Sequence, residues 1–267
     1  MTKNSALSFV LSQEELSIVL SYLKTVDMAG LDVSIFKGLG KKQIQMVLGV
    51  AERSLIARGF LVVGKDNRLD MAPHVFATVG ACAFPESTIL ITESRPGIPE
   101  SNYYFHSSRK MNVMHTVPMT AMHQFIAVED RTAMTKAVYS ILHLETEKVE
   151  IFPKGNVKRS TLNKAREAAQ KKGKKSTISY LADQSALSAD TARAFAEALE
   201  RPLSNTMLAY IEKQGEIMEG CSILRGEKSL WWISPVDGAA DDENAMVSVL
   251  SLSPDDARKK VASLLRL

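Results

Sequence analysis

One pattern constrains the fold of this 267-residue chain more than any other: a single order of elements is read twice. In the first pass, a helix over about 72–83 ends before Pro85, and the apolar period then shifts from helical to alternating. Strands are expected over Thr88–Thr92, from Tyr103, over Asn112–Val117 and over Phe125–Val128, with a turn from Arg95 to Ser101. Asp130 then caps a helix whose Met134, Ala137, Val138, Ile141 and Leu142 form one apolar stripe. In the second pass, a helix over Thr191–Glu200 runs into Pro202. Strands follow at Asn205–Ile211, Cys221–Leu224, Leu230–Ser234 and Met246–Leu252. Ser253 with Pro254, Asp255 and Asp256 opens the last helix, because the hydroxyl caps free N–H groups and the acids face the positive dipole end.

Pro85 and Pro118 are 33 residues apart, as are Pro202 and Pro235, and the two closing helices end alike, Val138 to Leu142 and Val261 to Leu265. The fold class is therefore α/β (α+β). A duplicated helix–strand-meander–helix unit is expected to form two halves about a pseudo-twofold axis, around a central antiparallel sheet with helices on its faces. The expected divisions are 1–150 for the helical start and first repeat, 151–177 for a basic linker or exposed helix, and 178–267 for the second repeat.

The helical start has its own signals. Ser12 and Glu15 make a capping box, with Leu11 and Leu16 at the hydrophobic-staple positions. A second helix spans Lys41 to Arg58 and stops at Gly59. A short strand, Phe60 to Val63, and a polar turn follow it.

Charge is unevenly spread. The net charge of +3 conceals nine basic residues and one acid between Lys154 and Thr177, so that segment carries +8 and the remainder −5. Such a run can meet an acidic protein surface or nucleic acid, or it can be a solvated face; with no aromatic between 154 and 177 it has nothing on which bases could stack. The 45% hydrophobic content is that of a globular protein, and no apolar run approaches the ~20 residues of a membrane span. Cys82 and Cys221 are too far apart in sequence to suggest a disulfide framework or zinc motif. With no secretory signal layout, the expected location is the cytoplasm.

Catalytic motifs are missing. The five histidines form neither HExxH nor HxH pairs, although His115 and His123 can approach across paired strands. Gly38-Leu39-Gly40 lacks the third glycine of a phosphate loop, and Ser107 with Lys110 lies in a strand-turn region where no helix aligns the two. No catalytic, cofactor-binding or metal-binding residue is assigned, and the chain is expected not to be an enzyme. Trp231 and Trp232, adjacent in a strand, should point to opposite faces, one into a core and the other under a helix or toward a partner.

Two classes of function fit. One is a winged-helix DNA-binding regulator built from residues 12–70 together with the basic 154–177 segment, its polar contacts drawn from residues such as Lys41, Lys42, Gln45 and Arg53. The other is a binding scaffold. The run from Arg53 to Leu61, then Asn67 to Asp70, then a helix into Pro85 and a strand, resembles the EspG family of cytosolic chaperones associated with ESX (type VII) secretion. Leu230-Trp-Trp-Ile-Ser-Pro235, a last strand and an amphipathic helix are similar to that family's C-terminal end. The resemblance spans about 10–145 and 178–267; the basic segment between them departs from the family pattern. It implies a chaperone that captures a helical-hairpin secretion substrate at its tip and keeps it soluble for export. It also implies that the hairpin loop carrying Arg95, Pro96, Ile98 and Pro99 contacts the substrate, with Ile217 and Met218 adding to the same surface.

Overall fold

The computed structural model describes residues 7–64, 66, 68–145, 148–171, 174–183, 185–213, 217–236 and 242–266. The first elements are β1 (Ser8–Ser12), α1 (Gln13–Tyr22), a single turn of 3-10 helix at Val33–Phe36, α2 (Lys41–Ala57) and the hairpin β2 (Leu61–Val63) and β3 (Leu69–Met71). The first repeat is α3 (Pro73–Ala83), β4 (Ser87–Arg95), β5 (Ile98–Ser107), β6 (Asn112–Met119), β7 (Met122–Val128) and α4 (Arg131–Ile141). Next come β8 (Gly155–Lys158), α5 (Arg159–Lys171) and α6 (Lys174–Asp183). The second repeat is α7 (Ala189–Glu200), β9 (Ser204–Glu212), β10 (Ile217–Arg225), β11 (Leu230–Pro235), β12 (Met246–Ser251) and α8 (Pro254–Leu264). Helix, four-strand meander and helix thus occur twice, and the mixed α/β class with a central antiparallel sheet holds. The sheet has ten strands in the order β1-β7-β6-β5-β4-β9-β10-β11-β12-β8, and β2 and β3 form a separate pair.

The chain divides into two compact units. Unit 1 takes residues up to Leu90, Ser101–Met134 and a short stretch from Ile211. Unit 2 takes Ile91–Glu100, Thr135–Tyr210 and the chain from Ile217 onward. Strand β4 therefore gives its first four residues to unit 1 and the rest to unit 2.

In unit 1 the capping box forms as the sequence predicts. Ser12 N–H donates to Glu15 Oε2 at 2.9 Å and Glu15 N–H to Ser12 Oγ at 3.2 Å. The carboxylate of Glu15 does more than cap: it also accepts from Ser54 Oγ at 2.7 Å and pairs with Arg58 at 2.8 Å, fastening α2 to α1. A buried carboxylate needs that many donors to offset its lost hydration. Leu11, Leu16, Leu55, Val75, Val79 and Phe125 belong to the core beneath these helices. Strand β1 is an element that the sequence reading misses. It pairs with β7, Phe9 opposite Phe125, at the edge of the sheet, and Arg58 donates to the carbonyl of Val10.

The core of unit 2 is arranged around Trp231, which stacks on Phe152 at 5.6 Å, tilts against Phe195 at 5.1 Å and donates from Nε1 to Ser229 Oγ. Trp232 is also buried, with the ammonium of Lys260 from α8 lying 5.3 Å from its ring centre, so neither tryptophan is left for a partner. The basic segment is folded. Val157 pairs opposite Val247, and Leu162 and Ala165 join the core, while Lys158, Lys164 and Lys171 stay exposed. It is an edge strand followed by helices, each with a wet and a dry face, and not a linker. Among the described residues, no helix is long and apolar enough to cross a membrane.

Candidate functional site

The expected turn at 95–101 is tighter in the structure. Strand β4 continues through Arg95 and β5 begins at Ile98, leaving only Pro96 and Gly97 at the tip. Proline presets φ at the first turn position, and Gly97, at φ +74°, takes the left-handed second position, as a type II turn requires. Ile98, 56% exposed, and the exposed Pro99 follow directly. An apolar side chain is thus held on a stiff two-residue tip.

Below the tip lies a clamp. Glu93 and Arg95 are two residues apart on one strand, so their side chains share a face. Arg95 donates from Nε to Glu93 Oε1 at 2.7 Å and from Nη2 to Oε2 at 2.9 Å, a two-pronged ion pair on a buried carboxylate. His143 Nε2 stands 3.0 Å from Glu93 Oε1 and 2.6 Å from Arg95 Nη2; that nitrogen can donate to the carboxylate or accept from the guanidinium, but not both at once. Arg225, at the end of β10, donates to the main-chain carbonyl of His143. Arg95 is therefore committed to holding the base of the hairpin, and Ile98 and Pro99 are the residues the tip presents.

His143 holds its place through an uncommon backbone. It sits at φ +50° just past α4, where Leu144 N–H returns to Tyr139 C=O and His143 N–H to Ser140 C=O. That bonding closes a helix with a left-handed residue, a position usually given to glycine. A histidine there costs about 1 kcal/mol in backbone strain, which its ring contacts with Glu93 and Arg95 offset.

The predicted residues are not all brought together. Ile217, 66% exposed, opens β10, whereas Arg225 closes it. Eight strand steps separate them by about 26 Å. Because Arg225 and Arg95 meet at His143, the β4–β5 tip belongs with the far end of β10, and Ile217 lies at the other. Met218 lies on β10 beside Ile217, its side chain outside the described set, as is Glu216. In place of Ile217, the structure puts Leu203 at the Arg225 end: its N–H donates to Arg225 C=O at 2.8 Å and its side chain is 49% exposed. Met207 is exposed on the same face of β9, with the exposed Asn205 between them and Ser204 and Thr206 buried on the opposite face. The signal available in the sequence was this alternation after Pro202.

A second cluster, in unit 1, gathers the strand histidines. Tyr104, His106, His115 and His123 stack with ring centres 5.2–6.1 Å apart, and Phe125 lies 4.9 Å from His115. His115 Nε2 and His123 Nδ1 are 2.9 Å apart, and His123 Nε2 meets Gln13 Oε1. The bonds run in one direction. With Gln13 Oε1 accepting, His123 carries its proton on Nε2, so His115 must donate from Nε2 and keep a bare Nδ1. Burial drives all three histidines toward the neutral form, His106 to about 3, His123 to about 4 and His115 well below its ordinary value. Neutral, sealed rings of this kind form a core rather than a catalytic site. No group of three His, Cys, Asp or Glu among the described residues is placed to hold a metal ion.

The winged-helix reading fares less well than the scaffold reading. Helices α1 and α2 and the β2–β3 hairpin exist, and Lys41, Lys42, Gln45 and Arg53 are exposed on α2, but the exposed Met46, Val50 and Ile56 interrupt the polar surface that base reading needs.

No family model matches the sequence. No curated protein matches it either. The fold does have a counterpart among solved structures: the Mycobacterium tuberculosis type VII secretion system chaperone EspG5, solved in complex with a PE25–PPE41 dimer. The likeness covers 97% of this chain and 96% of that one, with a TM-score of 0.66 at 14% sequence identity. It establishes a shared fold.

Proposed function

We propose that this chain is a cytosolic chaperone that captures a secreted helical-hairpin protein of a type VII system and keeps it soluble for export. The observation that carries the reading is the stiff tip bearing Ile98 and Pro99, clamped through Arg95, Glu93 and His143, on a chain whose whole length follows the fold of a type VII secretion chaperone. An exposed isoleucine on a rigid turn loses little conformational entropy on docking, and burying it against an apolar helical tip is favourable by about 2 kcal/mol. Leu203 and Met207 would extend the same apolar edge, and Asn205 would help set the choice of partner through polar contacts. This function needs no cofactor and no bond chemistry.

The test is affinity capture from native cytosol with the wild-type chain and with Ile98→Asp, washed at low and high salt. A small helical secreted protein retained through high salt by the wild type, and lost with Ile98→Asp at an unchanged melting temperature, supports the reading, since burial of apolar surface is not screened by salt. Nucleic acid retained at low salt and shed at high salt, through the basic 154–177 segment, would replace it with the regulator reading.

A further inference from the structure

Helix α2 carries local features that its own unit does not explain. Lys41 and Lys42 occupy its first turn, next to the positive end of the helix dipole, and no acid sits there; at the N-cap, Gly40 N–H donates to Gln43 Oε1 at 2.8 Å. Its last turn, the negative end, has no basic residue, and the following Arg58 is committed to Glu15 and the Val10 carbonyl. A cation at that end of a helix is unfavourable. At the midpoint of the helix stands Gly49, and glycine in a helix interior is destabilising relative to alanine. Among the described residues, a Cβ added there would meet only Arg53 Nη1, at 3.8 Å, so their packing does not demand glycine. On either side of it Met46 and Val50 are 67% and 54% exposed.

A second copy of the same helix, laid antiparallel, resolves all of these at once. The middle of Lys41–Ala57 is residue 49, so a twofold axis at Gly49 aligns the two helices over their full length. Lys41 and Lys42 of one copy then face the negative end of the helix dipole at Ile56 and Ala57 of the other, and Arg53 faces Gln45. Glycine at the crossing lets the helix axes approach to about 8 Å, and Met46 and Val50 are covered on both copies. We propose that two copies of the chain pair through α2 in this antiparallel register. The proposal does not depend on the chaperone reading. One helix about 25 Å long gives an interface below the ~1,200 Å² of stable complexes, so the dimer is reversible and concentration-dependent.

Sedimentation of the full chain from about 1 to 300 µM, a range chosen for weak association, reads the dimer directly. Gly49→Cys reads the register, because residues on the axis bring their Cα atoms within the roughly 4.4–6.8 Å that a disulfide needs. The native Cys82 and Cys221 are buried and do not compete. Expected are a doubling of mass with concentration, rapid Gly49→Cys cross-linking on mild oxidation, and loss of the doubling with Val50→Glu. Gln45→Cys alone should not cross-link, but should do so with Arg53→Cys. Met46→Lys, at a second exposed position, serves if Val50→Glu alters the melt. A monomer at every concentration, or a dimer that neither exposed-face variant weakens and that leaves Gly49→Cys reduced, overturns the proposal.

Discussion

Acid should weaken this protein through its buried histidines, and the structure sets how much. His106, His115 and His123 are essentially sealed from solvent and uncharged. A second proton would place an N–H where none can be paired, since among the described residues His106 Nε2 and His115 Nδ1 already lack partners. In the unfolded chain each ring titrates near 6.5. Folded-state values that are lowered mean that the unfolded state binds more protons, so stability is complete above about 6.5 and falls as pH drops below it. At about pH 5, His106 and His123, lowered to about 3 and 4, remove about 2 kcal/mol each relative to neutral pH. His115, which burial holds well below its ordinary value, acts in the same direction. The roughly 4 kcal/mol from His106 and His123 is already a large share of the 5–15 that holds an ordinary protein folded. Equilibrium urea unfolding followed by far-ultraviolet circular dichroism, at steps between about pH 7.5 and 5, measures the slope. Carboxylates contribute equally to wild type and to a His106→Gln variant, so the difference isolates one ring. The variant should lose about 1.2 kcal/mol per pH unit of slope near pH 5.5. Equal slopes would refute the assignment of a neutral, sealed His106.

Two further substitutions test other parts of the structure. At His143, alanine keeps the left-handed strain and loses the ring, whereas glycine loses the ring alone. His143→Gly should therefore be about 1 kcal/mol more stable than His143→Ala by thermal or urea unfolding, and equal stabilities would mean that φ +50° carries no cost. At Gly30, φ is +85° and an added Cβ would lie 2.7 Å from Tyr104 Cε2 and 2.9 Å from His115 Cε1, so Gly30→Ala should cost about 2–4 kcal/mol; a loss under 1 would show that the ring stack yields.

Local chemistry made much of the fold legible. The Ser12–Glu15 capping box, the Ser253–Pro254 start of α8 and the Pro96–Gly97 tip are each decided within four residues, and the structure has all three. What the sequence reading lacked was distant pairing. Five residues at Ser8–Ser12 read as the lead-in to a helix, because nothing nearby announces a partner strand that begins at Met122. Charge hid the folded nature of 155–171, where the dry face is made of Val157 and Leu162 with small Ala165 and Ala168. At the candidate site the exposed tip was readable, but the clamp was not: His143 lies 50 residues from Glu93 and 82 from Arg225. The same distance effect hid that Ile217 opens the end of β10 away from Arg225, while Leu203 lies at the Arg225 end.

The division of the chain into units bears on how it could be cut. The duplicated sequence invites a break near residue 150, giving one repeat on each side. The compact units do not follow that boundary: Ile91–Glu100, from the first repeat, counts with unit 2, and a stretch beginning at Ile211, from the second, counts with unit 1. A fragment ending near 150 would carry the hairpin tip without the rest of the unit to which it belongs, including Arg225. The remaining fragment would lack β4 beside β9. An ancestral duplication that left two separable modules would permit either piece to be expressed alone. Because segments are exchanged between the repeats, half-length fragments are expected to be insoluble unless mixed.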